Sequence, residues 1–138
     1  MTPARFCAVL AAGTALTTLP ASAAALVVRL NLKGGYANQA LVACGNSHHY
    51  TFFRVGLLKM DGSVQPAPRT SGWRIKVKVK RCVAGRFRAV WSVHSSGKAD
   101  GSFTIAYRAR RRGFYFARAY YYGVRPTAKS DKEYFRVR

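Results

Sequence analysis

From Trp73 to the end of the chain, apolar and polar residues take turns. Trp73, Ile75, Val77 and Val79 alternate with Arg74, Lys76, Lys78 and Lys80, the period-two rhythm of a strand with one buried face. Phe87, Ala89, Trp91 and Val93 repeat the rhythm against Arg86, Arg88 and Ser92, and Phe103, Ile105 and Tyr107 repeat it against Ser102, Thr104 and Arg108. Phe114–Tyr122 and Tyr134–Val137 read as two further strands. Gly85, the stretch 97–101 with its Asp100-Gly101 pair, and Arg110–Gly113 supply the turns between them. Helical spacing is scarce throughout.

The earlier half is less regular. Leu26–Lys33 alternates Val28, Leu30 and Leu32 with Arg29, Asn31 and Lys33, and Gly34-Gly35 ends it. Residues 37–44 fit either a helical turn or a strand. Tyr50–Lys59 reads as a strand that Asp61-Gly62 turns, and 63–72 as a loop or sheet edge, because Pro66 and Pro68 have no N–H to give a ladder. Short strands at regular intervals predict an all-β protein, an antiparallel sandwich or barrel. Strands 26–64 either complete the sandwich or cap it.

At 138 residues the chain has room for one domain of this kind. Its first segment reads as an address rather than as part of the fold. Arg5, an uncharged apolar run from Phe6 to Leu19, Pro20 and the small residues Ala21-Ser22-Ala23 match an export leader cleaved after Ala23. The domain is then 24–138. A membrane anchor is the rival reading, but about 20 uninterrupted apolar residues are needed to span a bilayer. Cys7 leaves with the leader, so Cys44 and Cys82 remain. Two cysteines in an exported chain predict one disulfide between them, worth about 4 kcal/mol of loop entropy. Leu41-Val42-Ala43-Cys44 also spells a lipidation box, but polar residues 34–40 stand where that box needs an apolar run. The expected location is secreted, extracellular or in the cell envelope.

One local pattern is specific: Gly113-x-Tyr115-x-Ala117-x-Ala119. In immunoglobulin-like sandwiches a tyrosine at the start of strand F sends its hydroxyl back to the backbone at the preceding corner, and glycine two residues earlier lets the chain turn there. Residues 73–138 resemble the small immunoglobulin-like domains of exported bacterial proteins. The shared parts are the basic strand Arg74–Arg81, Gly85-Arg86-Phe87, Asp100-Gly101-Ser102-Phe103, Gly113–Ala119 and Phe135–Val137. The resemblance implies an immunoglobulin-like β-sandwich with Trp91 as its core tryptophan. It also implies a structural or adhesive role at the cell surface. Ala117 stands where antibody domains have cysteine, so the inter-sheet disulfide of that family is absent.

Catalytic chemistry finds little support. The acidic residues are Asp61, Asp100, Asp131 and Glu133 alone, which leaves almost no material for a carboxylate pair. His48, His49 and His94 lack the spacing of a zinc site, and adjacent His48 and His49 point to opposite faces of an extended segment. No serine or cysteine nucleophile has a base at motif spacing, and Gly34-Gly35 is not followed by a phosphate-loop signature. Residues 112–119 echo an RNA-recognition signature at Arg112, Gly113, Phe114 and Phe116, but fail it at Tyr115, Ala117 and Ala119. The expectation is a protein without catalytic residues, cofactor, metal or specific nucleic acid.

The charge is the anomaly. Lys and Arg number 24 against 4 Asp and Glu, a formal net charge of +20. Arg74, Lys76, Lys78 and Lys80 lie on one strand face at intervals of about 6.6 Å, and Arg110, Arg111 and Arg112 cluster in a loop. These seven are the candidate residues for binding a polyanion such as an anionic cell-wall polymer or acidic polysaccharide. A solvated face that only keeps the protein soluble accounts for the same residues. Tyr120-Tyr121-Tyr122 is either a stacking platform or alternating core and edge aromatics. The first functional reading is a secreted non-catalytic binding module of the envelope or exterior. The alternative is a cationic effector acting on membranes or nucleic acid.

Overall fold

The computed structural model describes residues 13–14 and 25–138. The leader predicted for 1–23 and its cleavage site otherwise lie outside the described residues. The strands are β1 Val27–Lys33, β2 Ala37–Ala43, β3 Asn46–Phe53, β4 Gly56–Gln65, β5 Arg74–Val83, β6 Arg86–Ser96, β7 Ser102–Ala109, β8 Gly113–Tyr121, β9 Ala128–Lys129 and β10 Glu133–Val137. The described residues contain no helix, hence none long and apolar enough to cross a membrane.

Two sheets form. One has the order β1-β4-β7, and the other runs β2-β3-β10-β8-β5-β6, with β9 also pairing β8. All pairings are antiparallel except that of β3 with β10, which is parallel. This departs from the purely antiparallel expectation. The chain leaves β3 for the other sheet, so no hairpin forces β10 to run against it. The sheets share one apolar core, as a sandwich requires. Val28, Leu30, Leu58, Met60, Val64, Phe103 and Ile105 of the first meet Ile75, Val77, Val79, Ala117, Ala119, Phe135 and Val137 of the second. β-Branched and aromatic side chains suit a pleated, half-buried surface, and each large one removed from water contributes about 1.5–3 kcal/mol.

Tyr50–Lys59 is not one strand, since β3 ends at Phe53 in the larger sheet and β4 begins at Gly56 in the smaller, and four other local readings change. Of residues 37–44, Ala37–Ala43 form a strand and not a helical turn, and Cys44 begins the turn after it. Asp61-Gly62 does not turn the chain: β4 runs straight through it, with Asp61 opposite Asn31 and Gly62 opposite both Leu30 and Phe103. Gly62 serves close approach, since a Cβ there would strike Arg29 O and the Phe103 ring. Third, the rhythm of β6 slips at a bulge, where Val79 faces Trp91 and Lys80 faces Ala89. Val90 is the extra residue, so Phe87 and Trp91 point to opposite sides. Phe87 packs on Phe116 at 4.9 Å and Trp91 on Tyr107 at 5.1 Å between ring centroids. Fourth, the buried tryptophan is Trp73, whose Nε1 donates to Lys98 O at 2.9 Å, while Trp91 is only partly buried at the core margin.

The sandwich has a second apolar layer outside the larger sheet. Only Thr51–Phe53 of β3 pairs with β10. The rest of the β2–β3 hairpin swings over the outer face of β10 and β8, and its tip is fastened by a disulfide between Cys44 and Cys82, with Cα atoms 6.0 Å apart. Beneath it the His48 ring stacks on Tyr134 at 3.8 Å, and the fully buried Tyr50 meets Phe114 at 5.1 Å and Tyr134 at 5.5 Å. Both residues of the tip turn, Cys44 and Gly45, have positive φ, the geometry of a type I′ two-residue hairpin.

Replacing Cys44 and Cys82 together by serine should lower unfolding stability by about 2–4 kcal/mol and release the hairpin. Urea unfolding followed by tyrosine fluorescence checks this; an unchanged midpoint would mean that the aromatic layer holds the hairpin unaided.

Candidate anion-binding surface

Alternation along β5 sends Ile75, Val77 and Val79 into the core and leaves Arg74, Lys76, Lys78 and Lys80 on the outer face, Arg74 exposed and the lysines half-buried. Register then decides what each cation meets. Lys76 lies opposite Tyr120, Lys78 opposite Arg118 and Lys80 opposite Phe116 on β8. On the other flank Lys76 faces His94 and Lys78 faces Ser92 of β6. The ammonium of Lys78 sits 4.9 Å from the Tyr120 ring centroid and that of Lys80 5.8 Å from Phe116.

The arrangement continues beyond β5. Lys132 lies 5.0 Å from the Phe116 ring and Arg136 4.9 Å from Phe114, while Arg138 caps Phe52 at 5.0 Å. A cation over an aromatic face is stabilised by about 0.5–1 kcal/mol at an exposed site. The rings therefore offset part of the repulsion among like charges and leave the cations beside apolar faces. Arg118 is held firmly, its Nε donating to Ser130 O at 2.8 Å. Buried Ser130 takes up the bend between β9 and β10, its hydroxyl accepting from Ala119 N at 2.9 Å.

The three tyrosines divide by face. Tyr121 turns inward against Trp73 at 5.9 Å, whereas Tyr120 and Tyr122 stay outside with nearly parallel rings 6.3 Å apart. The outer pair extends the row Phe114, Phe116, Arg118, Tyr120 along β8.

Arg110 and Arg111 do not join this face, and Arg112 reaches only its edge. They form the β7–β8 corner, where backbone carbonyls fix the loop. Tyr115 Oη donates to Arg111 O at 2.6 Å, and Arg81 Nη2 donates to Arg112 O at 2.9 Å. Arg110 and Arg111 line a cleft with the inward residues Tyr107 and Tyr115, and Arg112 lies beside Phe114, Arg136 and Arg138. Arg110 and Arg111 thus stand apart from the lysine row, on the inner side of β5, whereas Arg112 lies by the outer residues Phe114 and Arg136.

The acidic residues offer these cations little. Asp61 Oδ2 pairs with Lys33 Nζ at 3.3 Å, the only ion pair among the described residues, and both side chains are exposed enough to make it worth at most about 1 kcal/mol. Asp100 is occupied by its own turn: Oδ1 accepts from Ser102 Oγ at 2.6 Å and Ser102 N at 2.9 Å, and these bonds hold its carboxyl below the usual range. Burial, with Asp131 nearby, pushes Glu133 up. The histidines are dispersed. His48 is stacked under the hairpin, His49 points outward, and His94 is exposed beside Lys76. No group of three His, Cys, Asp or Glu able to hold a metal occurs among the described residues.

Sequence reasoning missed the aromatic floor of this surface, built from Phe52, Phe87, Phe114, Phe116 and Tyr134. A signal was present: Phe114-Tyr115-Phe116-Ala117 is apolar at successive positions, as expected of a strand covered on both faces. No family model matches the chain, and no curated protein is significantly similar to it.

Burial pushes the phenols of Tyr50, Tyr107, Tyr115 and Tyr134 above their ordinary 10.0. An acid harder to ionise in the folded than in the unfolded state contributes stability below its unfolded pKa and loses it as pH rises further. The fold should therefore weaken as pH climbs past 10, with the phenolate absorbance of these four appearing together with unfolding. Phenolate formation well before the loss of circular dichroism would contradict their burial.

Proposed function

We propose that this protein is an exported, non-catalytic module with an immunoglobulin-like fold, which holds an anionic polymer against the outer face of its larger sheet. The fold reading is supported by the strand orders β1-β4-β7 and β10-β8-β5-β6. They correspond to the A-B-E and G-F-C-C′ strands of such sandwiches. The hydrogen bond from Tyr115 to Arg111 O lies at the corner where that family places one. Export is supported by the leader motif of 1–23 and by the Cys44–Cys82 disulfide.

The observation that carries the binding reading is the row Lys76, Lys78 and Lys80 seated among Phe116, Arg118 and Tyr120 with no carboxylate opposite. A purely solubilising face needs charge but not interleaved rings. Here Lys78 and Lys80 each lie over an aromatic ring that keeps the cation in place and can itself pack on sugar or polyol. A repeating polyanion such as a phosphate-bearing wall polymer or an acidic polysaccharide matches a row of charges at strand spacing.

Lys76→Glu with Lys78→Glu should lower the salt concentration at which the protein elutes from heparin, with the melting temperature retained or raised as self-repulsion falls. Elution at the same salt would remove this face as the site. Leakage of anionic vesicles at micromolar protein would instead favour a membrane-active effector.

A further inference from the structure

The second group of arginines lies at a different kind of site. β6 ends the larger sheet and β7 ends the smaller one, and between these free edges is a cleft of about 480 Å³ lined by Arg81, Arg108, Arg110, Arg111, Trp91 and Tyr107. A volume in this range suits a small ligand.

Arg81 is the telling residue. It follows Ile75, Val77 and Val79 on the inward face of β5, so the strand that buries three aliphatic residues also carries a guanidinium to the end of the core. Its hold there is specific. Nη2 donates to Arg112 O at 2.9 Å, and Nε is buried without a partner. Room is made by Gly113, where a Cβ would stand only 3.0 Å from Nε. No acidic side chain lines the cleft, and the only ion pair among the described residues lies elsewhere, at Lys33 and Asp61. A buried charge is costly without a counter-charge, and half-buried Arg81 has none; Arg108, Arg110 and Arg111 beside it are exposed and add positive potential at the mouth of the cleft. Guanidinium is the group that best matches carboxylate or phosphate through paired N–H donors. The other wall is aromatic: Trp91 and Tyr107 lie 5.1 Å apart with rings inclined at 47°, a surface on which the C–H face of a sugar ring packs.

We infer that this cleft binds an acidic sugar unit, one ring carrying a carboxylate or phosphate, with the anion among the arginines and the ring against Trp91. The inference goes beyond the proposed outer-face function and does not rest on it. The two sites lie on opposite sides of β5 and use different residues.

The indole N–H signals of the two tryptophans in a nitrogen-15 spectrum provide the test. Trp73 Nε1 is tied to Lys98 O and serves as an internal control. Titration with glucuronic acid or glucose 6-phosphate should move the Trp91 signal to saturation and leave that of Trp73 in place. Glucose or inorganic phosphate alone should bind more weakly by about tenfold or more, each lacking one half of the recognition. Response to only one of the two acids identifies which anion the arginines select. Arg110→Glu with Arg111→Glu should abolish the shift while melting at or above the wild-type temperature, because the corner bond from Tyr115 is made to the main-chain carbonyl of Arg111. Lys76→Glu with Lys78→Glu should leave the titration unchanged even if heparin retention is lost. A stationary Trp91 signal, or equal responses to glucose, phosphate and the sugar acids, would overturn the inference.

Discussion

Everything outside the core is arranged around a shortage of negative charge. With 24 Lys and Arg against 4 Asp and Glu, ion pairing is not a general means of accommodating the cations, and one surface pair, Lys33 with Asp61, is what the described residues show. The chain sets its cations over rings instead. Lys78 on Tyr120, Lys80 and Lys132 on Phe116, and Arg136 on Phe114 are repeated uses of one contact. The quadrupole of a ring attracts a cation without neutralising it. Repulsion is thereby reduced locally, while the potential of the whole face stays positive and open to an external anion.

This arrangement needs rings on the outside of β8 as well as the inside, and the fold supplies cover for them. The β2–β3 hairpin lies over Phe114 and Tyr134 through Tyr50 and His48, and the disulfide closes the far end of that cover at β5. β8 thus has two apolar environments. Tyr115, Ala117 and Ala119 face the sandwich core, and Phe114 and Phe116 face the hairpin and its neighbours. Beyond the hairpin the same outer row continues as Arg118, Tyr120 and Tyr122, where cover gives way to the candidate binding surface.

Much of this was legible from residue order. The alternation of β5 and β7 is strict, so both were readable, as was the pairing of Cys44 with Cys82 once export was assumed. Tyr115 was placed correctly because a corner glycine and two small alternate residues are a narrow requirement. What failed did so for local reasons. Asp-Gly is a strong turn signal, but at position 62 the absent side chain serves the close packing of Phe103 and the neighbouring backbone. The bulge at Val90 adds one residue to β6, and a single inserted residue exchanges the faces of everything before it. That is why Phe87 was assigned with Trp91. The binding face was half legible: the row of lysines is explicit in the sequence, whereas the rings between them come from register with β8. The cleft was not legible, because Arg81 reads as one more cation of a basic strand until the structure shows it inside.

The central claim is that the folded protein carries cation density that its 4 Asp and Glu cannot neutralise. Melting temperature measured against sodium chloride tests this most directly. Raising salt from about 10 to 150 mM shortens the screening length to about 8 Å, close to the spacing within the lysine row. The account predicts that the midpoint rises by several degrees, because the compact state suffers more self-repulsion than the unfolded chain. A midpoint that stays flat or falls over that range would contradict it.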